Sequence, residues 1–271
     1  MQDFGKKLKA VSDKNLEQKK TWYSPVADLY YRARPKYPQQ LITQAVTLAR
    51  LDSNSTILEI GCGPGNATIP FARLGVSIAC IEPNQEFYHL ARQNCQQYTN
   101  VRISHTSFEE WTPKNNKFDA VLSANSFHWI LPEIGYAKAA DVLKDDGYLI
   151  LLWNLTPEPR YEVYQTLQEI YQVYAPSFVR YEGASIQAAI LEKFEQNILD
   201  SGYFGHSVSE QVSCKVTYSI NKYLELLSTL RQLEPQTQDI LFIKLREKLS
   251  NWGNKIELYF LSAIHVARKS I

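Results

Sequence analysis

Residues 58–66 read LEIGCGPGN. An apolar run enters three glycines, Gly61, Gly63 and Gly65, each separated by one residue. Glu59 stands two residues before the first of them. Glycine reaches backbone angles closed to other residues and lets a ligand approach the main chain. A helix N-terminus beyond such a turn adds free N–H groups and a partial positive charge. The stretch therefore predicts a buried strand, a ligand-binding turn and a helix. Its spacing narrows the ligand. The dinucleotide fingerprint is G-x-G-x-x-G, whereas here the pattern is G-x-G-x-G and Asn66 takes the third glycine position. No Gly-Lys-Ser/Thr follows, which excludes a Walker A loop. A carboxylate at Glu59 suits a cationic ligand better than a pyrophosphate.

Working outward, short apolar runs alternate with amphipathic stretches. TILEI, SIACIE, VRISH, FDAVLSA and GYLILLWN read as five strands. Between them, helices are expected over 66–74, after an Asn84 cap, and from Pro132 to about residue 144. Upstream, Ser24 as N-cap and Pro25 start a helix over 26–33, and Pro38 opens another to about residue 51. Such alternation predicts an α/β fold with a doubly wound, mostly parallel sheet. Beyond residue 155, a helical, aromatic-rich stretch over 156–200 precedes a strand, VSEQVSCKVTYS. Two helices parted by LEPQ and a last strand, KIELYFLSAIHVARK, follow. The expected organisation is an N-terminal helical segment over the ligand (1–37), a binding core (38–155), and the remaining strands with helical cap insertions (156–271).

The chain has 271 residues, 45% hydrophobic and 21% charged, so its composition is that of a globular protein with a sizeable core. A net charge of +1 gives no bulk attraction to nucleic acid or anionic membrane. No apolar run approaches a membrane span. The polar residues 1–20 hold no apolar signal core, so a cytoplasmic protein is expected. Cys62, Cys80, Cys95 and Cys214 form no Cys-x-x-Cys pair and no metal-ligand spacing, and read as packed, reduced thiols.

Glu82 ends the second strand, about twenty residues after the first glycine, where a carboxylate accepts hydrogen bonds from ribose hydroxyls. With these residues in hand, the sequence resembles class I S-adenosylmethionine (SAM)-dependent methyltransferases. LEIGCGPG is similar to that family's acid-x-Gly-x-Gly-x-Gly motif, and VLKDDGYLILLW to its turn into the fifth strand. YYRARPKYP and the Phe-His-Trp at 127–129 resemble a small-molecule branch that includes trans-aconitate methyltransferases.

The resemblance implies a Rossmann-like, seven-stranded sheet in the order 3-2-1-4-5-7-6. It also implies roles for particular residues. Glu59 would act near the methionine ammonium, and Gly61, Gly63 and Gly65 would line the methionine and ribose portion. Glu82 would hold the ribose, with Pro83 and Asn84 beside the adenine. Ser107 and Phe108 would flank the adenine, with Ser107 where the family usually has Asp. Asn125 and Ser126 would meet the methionine portion, and Tyr31 and Arg34 would close over the cofactor, Arg34 on its carboxylate.

His128 and Trp129 follow the fourth strand, where donor and acceptor would meet. His128 reads as a general base, as a hydrogen-bonding group for substrate, or as a loop residue packed on Trp129; all three readings stay open. Trp129 reads as a substrate contact. Most of the tyrosines at 23, 30, 31, 37, 161, 164, 171, 174 and 181 read as helix packing, some as pocket lining. Arg160, Arg180 and Arg231 are cap candidates for an acidic acceptor. The expected activity is methyl transfer from SAM, leaving S-adenosylhomocysteine (SAH), to a small molecule, first of all a carboxylate. Transfer to nitrogen, carbon or a lipid, or SAM binding without catalysis, are the alternatives. Nucleic acid is not the expected partner, because NSFHW stands where DNA amino-methyltransferases carry Asn/Asp-Pro-Pro-aromatic.

Overall fold

Five strands set the frame: β1 (Thr56–Ile60), β2 (Ser77–Glu82), β3 (Val101–His105), β4 (Phe118–Ala124) and β5 (Leu143–Asn154). Their neighbours pair in parallel. Side chains alternate between the two faces, so Leu149, Leu151 and Trp153 pack on one side and Ile150 and Leu152 on the other. Both faces are apolar because helices cover both. The computed structural model describes residues 14–113, 117–230, 233 and 235–270. The Arg231 reading and part of LEPQ lie outside them.

The helices are α1 (Leu16–Thr21), α2 (Ala27–Ala33), α3 (Gln39–Leu48), α4 (Thr68–Ala72), α5 (Gln85–Cys95) and α6 (Pro132–Val142). After β5 come β6 (Glu158–Pro159), α7 (Tyr161–Tyr174), α8 (Gly183–Asp200), β7 (Phe204–Ser219), α9 (Ile220–Ser228), α10 (Pro235–Ser250) and β8 (Lys255–Lys269). Among the described residues the sheet has eight strands, ordered β3-β2-β1-β4-β5-β8, with β7 antiparallel on β8. Counting only the long strands, this is the expected 3-2-1-4-5-7-6. The two-residue β6, absent from the sequence reading, pairs with Leu258 and Tyr259 of β8. Since Leu258 pairs with Val216 of β7 as well, β6 lies on the β5 side of β8.

A separate apolar cluster builds the cap. Tyr164, Leu167 and Tyr171 of α7 meet Leu224 and Leu227 of α9, Leu241, Leu245 and Leu249 of α10, and Leu258 of β8. Burying each leucine contributes about 1.5–3 kcal/mol.

Two local expectations need correction. Ser24 is not an N-cap: it starts a single 3₁₀ turn, Ser24–Val26, and its hydroxyl accepts from Asn84 Nδ2 at 2.9 Å. The helix expected over 66–74 is confined to Thr68–Ala72, with turns on both sides. Pro70 has no N–H to donate back to Asn66, which weakens its first turn.

Below α8, His265 of β8 is buried, its Nδ1 2.6 Å from the Ser209 hydroxyl and its Nε2 without a partner. Burial pushes this imidazole down to about 4. The unfolded chain, with a histidine pKa of about 6.5, then takes up the proton first. Stability present above that value is lost as pH falls toward 4. Chemical denaturation of His265→Gln is expected to show a pH 7-to-4 loss smaller than that of the unsubstituted protein by about 3 kcal/mol. Parallel pH profiles would remove His265 as the cause.

Candidate functional site

Strand order reverses at β1, which lies between β2 and β4, so the crevice opens at the carboxyl ends of these strands. The chain leaves β1 through left-handed glycines: Gly61, Gly63 and Gly65 have φ of +63°, +55° and +92°. Gly61 is required by close approach, because a Cβ there would lie 2.8 Å from Ser126 Cβ. At Gly63 a Cβ would meet nothing within 4 Å, so this backbone faces open space. A Cβ at Gly65 would come within 3.1 Å of Cys95 Sγ, which fits this turn against α5.

The Gly63 N–H donates to Glu82 Oε2 at 2.7 Å and the Asn84 N–H to Oε1 at 2.8 Å. A carboxylate has about four acceptor positions, so Glu82 retains capacity for a ligand's hydroxyls. Burial, only partly offset by these N–H groups, pushes its carboxyl up to about 7. Glu59 is fully buried beneath the loop. Its Oε2 accepts from the Thr68 hydroxyl at 2.6 Å, while Oε1 has no partner among the described residues. Burial, with a smaller contribution from Glu82, raises Glu59 to about 7 as well.

A first cavity of about 120 Å³ is lined by Gly61, Cys62, Gly63, Glu82, Pro83, Asn84, Ser107, Phe108, Asn125 and Ser126. The N-terminal segment closes it with Leu16, Lys19, Tyr23, Tyr30 and Tyr37. Asn84 fastens that segment. Its Oδ1 caps α5 by accepting from the Phe87 N–H at 2.9 Å, and its Nδ2 donates to Lys20 O at 2.6 Å. Tyr23 and Tyr30 then pack on Phe87, with ring centroids 5.7 and 5.2 Å away.

A second cavity, about 290 Å³, opens beside the first. Tyr23, Tyr30, Asn125 and Trp129 line both. Asn125 sits in the left-handed region with φ +51°. Its amide accepts from the Tyr37 hydroxyl at 3.0 Å and the Asn154 N–H at 2.7 Å, and donates to Asn154 O at 2.8 Å. The rest of the second cavity is rich in aromatic side chains, with Trp22, Trp153, Tyr164, Tyr171, Phe178, Phe194 and Tyr223, beside His128.

Residues 57–147 match the family model of the methyltransferase domain. The chain is 31% identical over 129 residues to an uncharacterized methyltransferase of Mycobacterium tuberculosis, covering 48% of this chain and 50% of that one. It is 31% identical over 170 residues to an uncharacterized methyltransferase-like protein of Schizosaccharomyces pombe, covering 62% of this chain and 65% of the relative. The chain thus spans about half the length of the first of these curated relatives. Among solved structures, a putative type II methyltransferase from Anaeromyxobacter dehalogenans superposes with a TM-score of 0.61 at 15% identity, over 87% of this chain and 97% of that one. The YcgJ protein of Bacillus subtilis gives 0.52 at 16% identity, over 86% and 100%. The fold is the Rossmann-like fold of methyltransferases.

The expected cofactor residues divide. Gly61, Gly63, Glu82, Pro83, Asn84, Ser107, Phe108, Asn125 and Ser126 converge on the first cavity. Glu59 and Gly65 lie behind its wall. Tyr31 and Arg34 do not close over it, which corrects the reading of both. The Tyr31 ring is covered by Lys36 Nζ, 3.9 Å from its centroid. Arg34 turns to the cap, where its Nε donates to the Thr229 hydroxyl at 2.9 Å and its Nη2 to Thr229 O at 3.1 Å. The Ser107 hydroxyl donates to Glu110 Oε2 at 2.8 Å, so its one proton is already engaged. Arg160 is largely exposed and donates to the Tyr259 hydroxyl, away from both cavities. Arg180 lines the second.

Sequence reasoning did not single out Asn154, Trp153 or Phe194. The Trp153 and Phe194 rings stack 4.0 Å apart although forty-one positions separate them, and no local pattern signals that meeting.

Gly61→Ala combines a left-handed residue with a clash on Ser126 and is expected to destabilise the fold by about 2–3 kcal/mol in urea unfolding. Gly63→Ala carries only the backbone strain of about 1–2 kcal/mol. Equal losses at both positions would show that Ser126 gives way.

Proposed function

We propose that this chain binds SAM in the first cavity and transfers its methyl group to a small-molecule acceptor held in the second. The observation that carries the reading is the shared wall of Tyr23, Tyr30, Asn125 and Trp129, which sets a glycine-loop cavity directly against an aromatic one. The residues present fit SAM. Gly63 offers exposed backbone, Glu82 has acceptor positions to spare for ribose hydroxyls, and the unpartnered Oε1 of Glu59 supplies uncompensated negative potential beneath the loop. Pro83, Asn84, Ser107 and Phe108 would stand beside the adenine, and Asn125 and Ser126 beside the methionine portion.

SAM, when bound, supplies an electrophilic methyl group on a sulfonium. The chain's part is then alignment and exclusion of water. Tyr37 and Asn154 fix the Asn125 amide, and α1 with the aromatic residues after it covers the opening. Burial lowers the His128 pKa to about 4, so at neutral pH it is an uncharged imidazole. An acceptor that is already a carboxylate needs no base from it. The RPKYP and FHW motifs favour the trans-aconitate-like branch and a methyl ester as product.

Calorimetry with SAM and SAH tests the cofactor. Micromolar binding is expected, and none at millimolar concentration would sink the proposal. Gly63→Val should abolish binding by filling the backbone approach. Glu82→Ala should weaken it by about 1–3 kcal/mol, the value of a charge-assisted hydrogen bond. Release of SAH across a panel of small acids, phenols and amines tests transfer, and binding without release would indicate a non-catalytic SAM protein.

Binding should also depend on pH. Both buried carboxyls are raised to about 7 and the ionised forms suit the ligand. Affinity should therefore strengthen about tenfold or more from about pH 6 to about pH 8. Glu82→Gln should flatten this profile, and an unchanged slope would remove Glu82 from the titration.

A further inference from the structure

The second cavity holds a cation whose charge no carboxylate among the described residues neutralises. Arg34 is half-buried at the C-terminal end of α2 and lines this cavity, not the first. Its partners are all uncharged: the Thr229 hydroxyl, the Thr229 carbonyl and the Tyr30 ring, 4.9 Å from the guanidinium carbon. A guanidinium has about five N–H donors. Two are used, and among the described residues no carboxylate forms an ion pair with it.

The other charged groups of the cavity are Arg180, Glu158 and Glu182. Glu158 already accepts from the Glu182 N–H at 3.0 and 3.1 Å and from the Gly183 N–H at 3.0 Å. Its charge is therefore engaged at the start of α8, where a helix favours an anion. The hydroxyls of Tyr164, Tyr171 and Tyr223 are engaged too. Tyr171 and Tyr223 bond each other at 2.9 Å, and Tyr164 donates to Val179 O. Two groups of the lining keep donors to spare. Besides Arg34, the indole Nε1–H of Trp153, a residue only 2% exposed, has no hydrogen-bond partner. Aromatic and aliphatic side chains form most of the remaining wall.

We propose that Arg34 selects the acceptor: the second cavity takes an acid with an aromatic body, its carboxylate paired with the Arg34 guanidinium and its rings against Trp153 and Trp129. A planar guanidinium binds a carboxylate through two parallel N–H groups, and three of its donors are unspent. Arg34 is here a specificity residue of the acceptor site, not a cofactor ligand. The proposal rests on the second cavity being the acceptor site of the reading above.

The test compares phenylacetate, phenylacetamide and phenethylamine, which share one body and differ in charge. Each is titrated by ligand-observed NMR into the full chain, with and without saturating SAH. Phenylacetate should bind at least about tenfold more tightly than the amide or the amine, as a charge-assisted pair requires. Arg34→Gln should bring carboxylate and amide to the same affinity, while Arg34→Lys keeps part of the preference. SAH affinity of Arg34→Gln should equal that of the unsubstituted chain.

Equal or tighter binding of the amide or amine, a preference that survives in Arg34→Gln, or no phenylacetate binding at millimolar concentration would each overturn the proposal. A drop in SAH affinity in Arg34→Gln would return Arg34 to the cofactor. Should Arg34→Gln fail to fold, the carboxylate-to-amide ratio of the unsubstituted chain decides. If SAH binds neither protein, the methyltransferase reading fails, and the titrations without SAH still decide whether the cavity selects an acid.

Discussion

A chain leaving β1 must turn back before it reaches Ser126, and it does so by entering the left-handed region three times in five residues. Everything at the carboxyl edge of the sheet follows from that turn. The Gly61 N–H donates to Ile81 O at 2.9 Å, which ties the turn to β2, and the Ser126 hydroxyl bonds Ile60 O, which ties it to β4. The Gly63 N–H then meets Glu82. One loop conformation thus places a backbone approach, a carboxylate and the β4 exit around a single cavity.

That arrangement holds two carboxyls in a place that disfavours their charge. Burial raises both Glu59 and Glu82 to about 7. Their ionised forms weaken the fold as pH rises from the ordinary carboxylate range through neutrality, the reverse of the usual carboxylate contribution. Such a cost is characteristic of a binding site and not of a core. A cationic ligand with hydroxyl donors would offset it.

Features set by neighbours in sequence were legible in the sequence. The glycine spacing, the alternation of apolar runs, the Asn84 cap and the position of Glu82 at the end of β2 are all of this kind, and they carried the fold and most of the first cavity. Features set by distant partners were not. Arg34 could be read as a cofactor ligand because nothing near it shows that Thr229, 195 positions later, takes two of its donors. That the Ser107 hydroxyl gives its proton to Glu110 was equally hidden, because this pairing depends on how the loop folds back. The second cavity draws on the N-terminal segment, the turn after β4, β5, α7, α8 and α9 together, so no single window of sequence describes it.

Tyr23, Tyr30, Asn125 and Trp129 belong to both cavities, and that common partition has a thermodynamic meaning. Any displacement of it toward one space enlarges the other. An occupant that favours one position of the partition therefore alters the affinity for the occupant on the other side, and by linkage the second alters the first by the same factor. With ligands on both sides the two cavities would act as one energetic unit, and a binding constant measured on either side would hold for a stated condition of the other.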